Sequence, residues 1–167
     1  MTTQPADAVH ATIAELVRAY LAADYRWQRG GDWHDLRIGL QAPALELLYP
    51  DRGTFGMLSA WNPRSVECTE QANRDADRAL RDDLVATGLP FLPAFASAFD
   101  RSWREPGWVV MGMTVARFDA LSRKYGQLGT LWWTYGQAGR LRVDASCPPG
   151  FGDDGHVDWL RAGPAGR

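Results

Sequence analysis

The chain has 167 residues, 46% of them hydrophobic and 23% charged, the profile of one folded domain around one core rather than of a disordered chain. Its net charge is −2 with acids and bases interleaved, so no single-sign field gathers phosphate backbones or anionic lipid, and nucleic acid is a disfavoured partner. No stretch reaches the ~18 apolar residues that cross a bilayer, residues 1–7 lack a signal-peptide pattern, and the two cysteines, Cys68 and Cys147, form no CxxC pair, so a soluble cytoplasmic protein is expected.

In residues 7–24 the apolar positions Val9, Ile13, Leu16, Val17, Tyr20 and Leu21 recur every three or four residues, the stripe of a first helix. Tyr25 and Trp27, then Leu36, Ile38 and Leu40, alternate with polar neighbours around Arg29-Gly30-Gly31-Asp32, which predicts a hairpin. Residues 44–49, set between two prolines, read as one helical turn over a sheet edge. Residues 53–61 (GTFGMLSAW) are an apolar run suited to a central strand, stopped by Asn62-Pro63. Thr69 caps a second helix over 70–87 that ends at Gly88, with Ala72, Ala76, Ala79, Leu80 and Leu84 as its buried stripe. Residues 89–95 and 108–113 read as strands joined by a polar connection over 100–107. Thr114 caps a third helix with Val115, Phe118, Leu121 and Tyr125 facing inward, Gly126 ends it, and strands follow over 128–135 and 140–145.

Taken together these elements predict an α+β fold. Residues 53–135 give strand, helix, strand, strand, helix, strand, the order of a ferredoxin-like, split βαβ core, with an added N-terminal helix and hairpin and an extra C-terminal strand. Residues 1–146 are expected to form a single domain. Residues 147–167, rich in Pro, Gly and Asp with Trp159 and Leu160 as their bulky apolar pair, are expected to be a mobile tail, because burial there does not offset ordering entropy.

Four polar clusters are candidates for chemistry. After the strand over 53–61, Asn62 and Ser65 offer hydrogen-bonding groups ahead of a helix N-terminus; equally, Asn before Pro starts turns and Ser65 forms a local one. Asn73 sits in the first helical turn, where asparagine is unfavourable, and either pins the Asn62 loop or points into a pocket. Trp103-Arg104-Glu105-Pro106-Gly107-Trp108 combines two indoles able to sandwich a planar group with a carboxylate able to take a proton; the alternative has both indoles on the core and the ion pair in solvent. Gln127, behind Gly126, either reaches inward or bonds neighbouring backbone. The histidines His10, His34 and His156 have no i, i+4 partner, so no metal is expected. Cys147 with His156 is a remote nucleophile and base pair. The chain contains no GxxxxGK[ST] or GxSxG, and no cofactor is implied.

The segments Leu36-Arg37-Ile38-Gly39, Ser59-Ala60-Trp61-Asn62-Pro63, residues 69–73, Trp103-Arg104-Glu105 and Tyr125-Gly126-Gln127 together resemble a bacterial family known as domain of unknown function 3293, over about 25–135. No activity comes with the resemblance. It implies that Asn62, Ser65, Asn73, Glu105 and Gln127 belong to one recurring site. The chain departs from the family pattern at Pro106-Gly107, where a small polar residue is expected, and in its longer N-terminal helix and C-terminal tail.

Three functions follow as expectations. The first is a pocket for a small polar or planar metabolite, with Glu105 as acid or base, Asn62 and Gln127 orienting the ligand, Trp61 as a stacking wall, and Ser65, Asn73 and Trp103 lining it. The second is a protein-interaction module that uses the eight tryptophans as an exposed surface. The third is a single-strand nucleic-acid binder, held back by the lack of positive charge.

Overall fold

Gly30 and Gly31, at φ 60° and 91°, form a two-residue turn of the kind that matches the right-handed twist of paired strands. They close a hairpin of β1 (Asp24–Arg29) and β2 (Asp32–Leu36). A computed structural model of the chain describes residues 5–163. The hairpin is preceded by α1 (Pro5–Ala22) and followed by α2 (Pro43–Leu48), β3 (Thr54–Leu58), a 3-10 turn at Pro63–Ser65, α3 (Glu70–Thr87), β4 (Phe91–Ser97), β5 (Arg104–Met111), α4 (Val115–Lys124), β6 (Gly129–Thr134), β7 (Arg140–Val143) and β8 (Val157–Trp159). The expected stripe residue Val9, the histidine His10 and the chain beyond 163 lie outside the described side chains or residues.

The fold is α+β, with one mixed sheet in the order β2-β1-β4-β5-β3-β6-β7-β8. Every pairing is antiparallel except the parallel pair β7 and β8. Because successive strand side chains point to opposite faces, two apolar layers form. Phe55, Met57, Val109, Met111, Leu131 and Trp133 meet Val17 of α1 and Leu45 of α2. Leu58, Val110 and Trp132 meet Leu80 and Leu84 of α3 and Phe118 of α4. No described helix is long and apolar enough to cross a membrane.

Both long caps form as the sequence dictates. Thr69 Oγ1 accepts from the Ala72 N–H at 3.2 Å, and Thr114 Oγ1 from that of Arg117 at 3.4 Å. Gly88 takes the left-handed conformation, φ 70°.

Four expectations need correction. The buried face of α3 runs through Asn73, Leu80 and Leu84, with Ala72 and Ala79 exposed: the helix is turned toward the polar loop it holds. Residues 104–107 are strand rather than connection, because β5 pairs with β4 from Arg104↔Ser97 onward. The turn α2 does not lie on the sheet edge: Leu45 is buried, and Glu46 accepts a hydrogen bond at 3.1 Å from the indole of Trp133, on an interior strand. The segment from Cys147, expected to be a mobile tail, supplies β8. Arg140 grips Asp158 through two bonds of 2.9 and 2.8 Å, Val157 is buried, and Phe151 stacks edge-on against Trp159. The burial of Val157 and the packing of Phe151 and Trp159 against the core, with the β7 pairing and the ion pairs, offset the ordering entropy.

Candidate functional site

The chain leaves β3 through Ser59, whose hydroxyl donates to the Pro106 carbonyl at 2.7 Å and accepts from the Trp61 N–H at 2.9 Å. This ties the start of the loop to β5. Asn62, Arg64 and Ser65 then all adopt positive φ (47°, 57° and 59°), a region that side chains other than Asn and Asp rarely enter without external support. The support comes from Gly126. Its carbonyl accepts from the Arg64 N–H at 2.7 Å, and a β-carbon on it would sit 2.9 Å from Pro63. Gln127 adds a bond from Nε2 to the Trp61 carbonyl at 3.2 Å. The Trp61-Asn62-Pro63 and Tyr125-Gly126-Gln127 segments are thus two sides of one joint.

Asn62 is the hub of that joint. Its backbone N–H donates to Asn73 Oδ1 at 2.9 Å, and its Oδ1 accepts from Asn73 Nδ2 at 2.9 Å and from the Cys68 N–H at 3.0 Å. Its Nδ2 donates to Glu105 Oε1 at 3.0 Å. Asn73, buried on α3, therefore pins the loop, one of the two roles open to it in the sequence. Asn62 spends its own acceptor inside the protein and presents Glu105 rather than a ligand. Gln127, too, gives both described bonds of its amide nitrogen to carbonyls, Trp61 and Tyr125.

Around Glu105 two spaces meet. An outer groove of about 540 Å³ is lined by Trp61, Asn62, Ser65, Asn73, Trp103 and Glu105, together with Tyr20. A small inner cavity of about 50 Å³ continues past Tyr20, Trp103 and Glu105 to Gln127. All seven residues singled out in the sequence thus line one of two adjoining spaces, with Gln127 on the inner one.

Burial lifts the Glu105 carboxyl above its ordinary value, partly offset by the Asn62 hydrogen bond. The Tyr20 phenol is raised as well, first by burial; its bond to Ser65 opposes this and the neighbouring Glu105 adds to it. Tyr25, whose hydroxyl donates to the Tyr20 carbonyl at 2.5 Å, is raised by burial. Among the described residues the second oxygen of Glu105 has no hydrogen-bond partner, and the buried Trp61 Nε1 has no acceptor. One acceptor, the second Glu105 oxygen, is therefore left to the groove.

The sequence missed Tyr20. It falls on the apolar stripe of the first helix, yet its hydroxyl hydrogen-bonds Ser65 Oγ and its ring lies over Gly129, where a β-carbon would approach within 2.9 Å. A tyrosine at the end of an amphipathic stripe, facing a glycine that opens a strand, was the available signal. The two-indole sandwich does not form. Trp103 lines the groove, whereas Trp108 donates to Asp77 of α3 at 2.9 Å on the opposite face of β5, as strand alternation requires. Arg104 lies 4.1 Å over the Phe95 ring instead of pairing with Glu105. Of the eight tryptophans, Trp27, Trp132 and Trp133 are buried, and Trp33, 39% accessible, is the one among the exposed large apolar residues. Cys147 contacts the Pro148 carbonyl and His156 lies against Gly39, so these two do not partner each other.

Residues 58–129 match the family described as a protein of unknown function, DUF3293. The matched segment runs from the last residue of β3 to the first of β6 and holds every site residue named in the sequence; Tyr20 and Tyr25 lie outside it. No curated protein and no solved structure matches the chain.

Proposed function

We propose that this chain, whose residues 58–129 match the DUF3293 family, binds a small polar, planar metabolite in the groove, with Glu105 as the group that exchanges a proton or hydrogen bond with it. The observation that carries this reading is the Asn62 Nδ2 to Glu105 Oε1 bond of 3.0 Å. It fixes one carboxyl oxygen and leaves the other to the groove. A groove of about 540 Å³ falls within the ~300–1,000 Å³ of small-molecule sites.

The matching ligand carries a donor toward Glu105 and a flat face toward Trp103. The raised carboxyl suits Glu105 to an acid or base role. Nucleophilic chemistry has less support, since the Ser65 hydroxyl is bonded to a phenol that burial keeps protonated. Two free cysteines support a cytoplasmic setting. The central order β4-β5-β3-β6 supports reading residues 53–135 as a ferredoxin-like, split βαβ unit, and the pairing of β8 with β7 supports one domain that extends past residue 146.

Thermal-shift screening of the full chain against polar aromatic and heterocyclic metabolites tests the proposal. A hit should raise the melting temperature of the native protein and of a Cys147→Ala control. It should lose most of its effect in Glu105→Gln and Trp103→Ala. Equal responses in native protein and in Glu105→Gln would remove Glu105 from the site.

A further inference from the structure

Arg64, Arg123 and Arg161 surround a single carboxylate, Asp144, in a second cavity of about 530 Å³ that shares no lining residue with the groove. Arg161 holds Asp144 through Nε and Nη2 at 3.0 and 3.2 Å. Arg64 reaches its Oδ2 and its carbonyl with Nη1, both at 3.4 Å. Asp144 is nearly covered, its side chain 8% accessible, while those of Arg64 and Arg161 are 48% and 59% accessible. Arg123, in the last turn of α4, has no carboxylate partner among the described residues. It still lies within electrostatic reach: the Asp144 carboxyl is held below its usual range first by Arg161, then by Arg64 and Arg123.

Three guanidiniums against one carboxylate leave two positive charges facing the same space. The paired nitrogens account for only part of the available donors: Nε and Nη2 of Arg64, Nη1 of Arg161 and the whole fork of Arg123 carry no described bond. Planar guanidinium forks suit oxyanions with several oxygens. The backbone at Arg64 is held at φ 57° through its bond to Gly126, so the joint that presents Asn62 to the groove also sets Arg64 in this second cavity. In a chain whose net charge is −2, such a local excess of positive charge runs against the overall balance.

We propose that this cavity binds the doubly charged oxyanion of a small phosphomonoester, with Arg123 and the free edges of Arg64 and Arg161 as its donors. The site does not rest on the reading of the groove. Its test is an NMR titration of the full chain at fixed ionic strength, with inorganic phosphate and glycerol 3-phosphate as probes and acetate as the singly charged comparison. Both phosphates should produce saturable shifts at the amides of Arg64, Arg123 and Ser146, and acetate should not. Arg123→Gln should weaken phosphate binding at least fivefold. Arg117→Gln, on the same helix outside the cavity, and Glu105→Gln, in the groove, should leave it unchanged. Saturation by inorganic phosphate with no response to glycerol 3-phosphate overturns the phosphomonoester assignment. Equal responses to phosphate and acetate, or native affinity in Arg123→Gln, overturn the site itself.

Discussion

Asn62 and Asn73 hold each other by a reciprocal pair of hydrogen bonds, backbone N–H to Oδ1 and Nδ2 to Oδ1, both 2.9 Å. The pair couples the loop after β3 to the first turn of α3. The presentation of Glu105 depends on it, because another Asn62 hydrogen bond, from Nδ2, is the one that aims Glu105.

Asn73→Ala tests the coupling. It strands the Asn62 N–H and deprives Asn62 Oδ1 of one of two donors in a half-buried setting, at about 1–3 kcal/mol for each unpaired group. The expected loss is about 3 kcal/mol, read as a fall in melting temperature of about 6–12 °C for a domain of this size. The loss should be accompanied by shifts in the NMR signals of Cys68 and Glu105. A fall under about 2 °C would mean that the loop is held without Asn73.

Glu105 gives a pH-dependent prediction whose sign follows from burial. Its folded-state carboxyl is raised above the ordinary 4.5. The stability it contributes is therefore fully present below that value and is lost as pH rises through the folded one. Glu105→Gln keeps an acceptor for Asn62 and removes the desolvated charge, so it should be more stable than the native protein at pH 7 by about 1 kcal/mol, or about 2–4 °C. That advantage should vanish below the ordinary carboxyl value. A less stable Glu105→Gln at pH 7 would show that the carboxylate has a positive partner.

Much of this arrangement was legible in the sequence, and the parts that were not share a cause. Thr69, Gly88, Thr114 and the Gly30-Gly31 turn are local signals, and each marks its element where the chain places it. Asn62, Glu105 and Gln127 were identifiable as polar residues at element ends, and their convergence agrees with the resemblance read from the Trp61, Trp103 and Gly126 segments. Their roles were not legible, since an amide that binds a ligand and one that clamps a loop look alike until its partners are known. Tyr20, the strand character of Arg104 and Glu105, and β8 all depend on pairing across long separations: Tyr20 with Ser65, Arg104 with Ser97, Arg140 with Asp158. Helical periodicity and turn composition carry no record of such partners.

Gly107 shows the same dependence on partners. The sequence marks Pro106-Gly107 as a departure from the family pattern, yet a β-carbon at Gly107 would lie 2.5 Å from the carbonyl oxygen of Leu58. That neighbour is backbone and has no rotamer to change. Gly107→Ala should therefore separate β5 from the end of β3 and cost about 2–3 kcal/mol, with loss of the Ser59 bond to Pro106. Gly155→Ala, where nothing lies within 4 Å, should stay within about 0.5 kcal/mol of the native protein. Thermal melts of the two variants side by side decide the matter, and equal melting temperatures would refute the close approach.

Deleting residues 147–167 tests whether β8 stabilises the sheet or merely rests on it. The deletion removes Val157 and Trp159, which pair beside Leu141 and Val143 in the same apolar layer, and withdraws Asp158 from Arg140 and Arg161 from Asp144. Burying one aliphatic side chain contributes about 1.5–3 kcal/mol. The half-exposed ion pairs contribute at most about 1 kcal/mol each. A loss of about 3–4 kcal/mol should follow, with a melting temperature about 6–16 °C lower. Asp158→Asn alone should cost under about 1 kcal/mol, because Val157 still packs and the strand pairing survives. If the truncated chain and Asp158→Asn melt together, the ion pairs and not the apolar strand hold the segment, and the energetic ranking of the two is reversed.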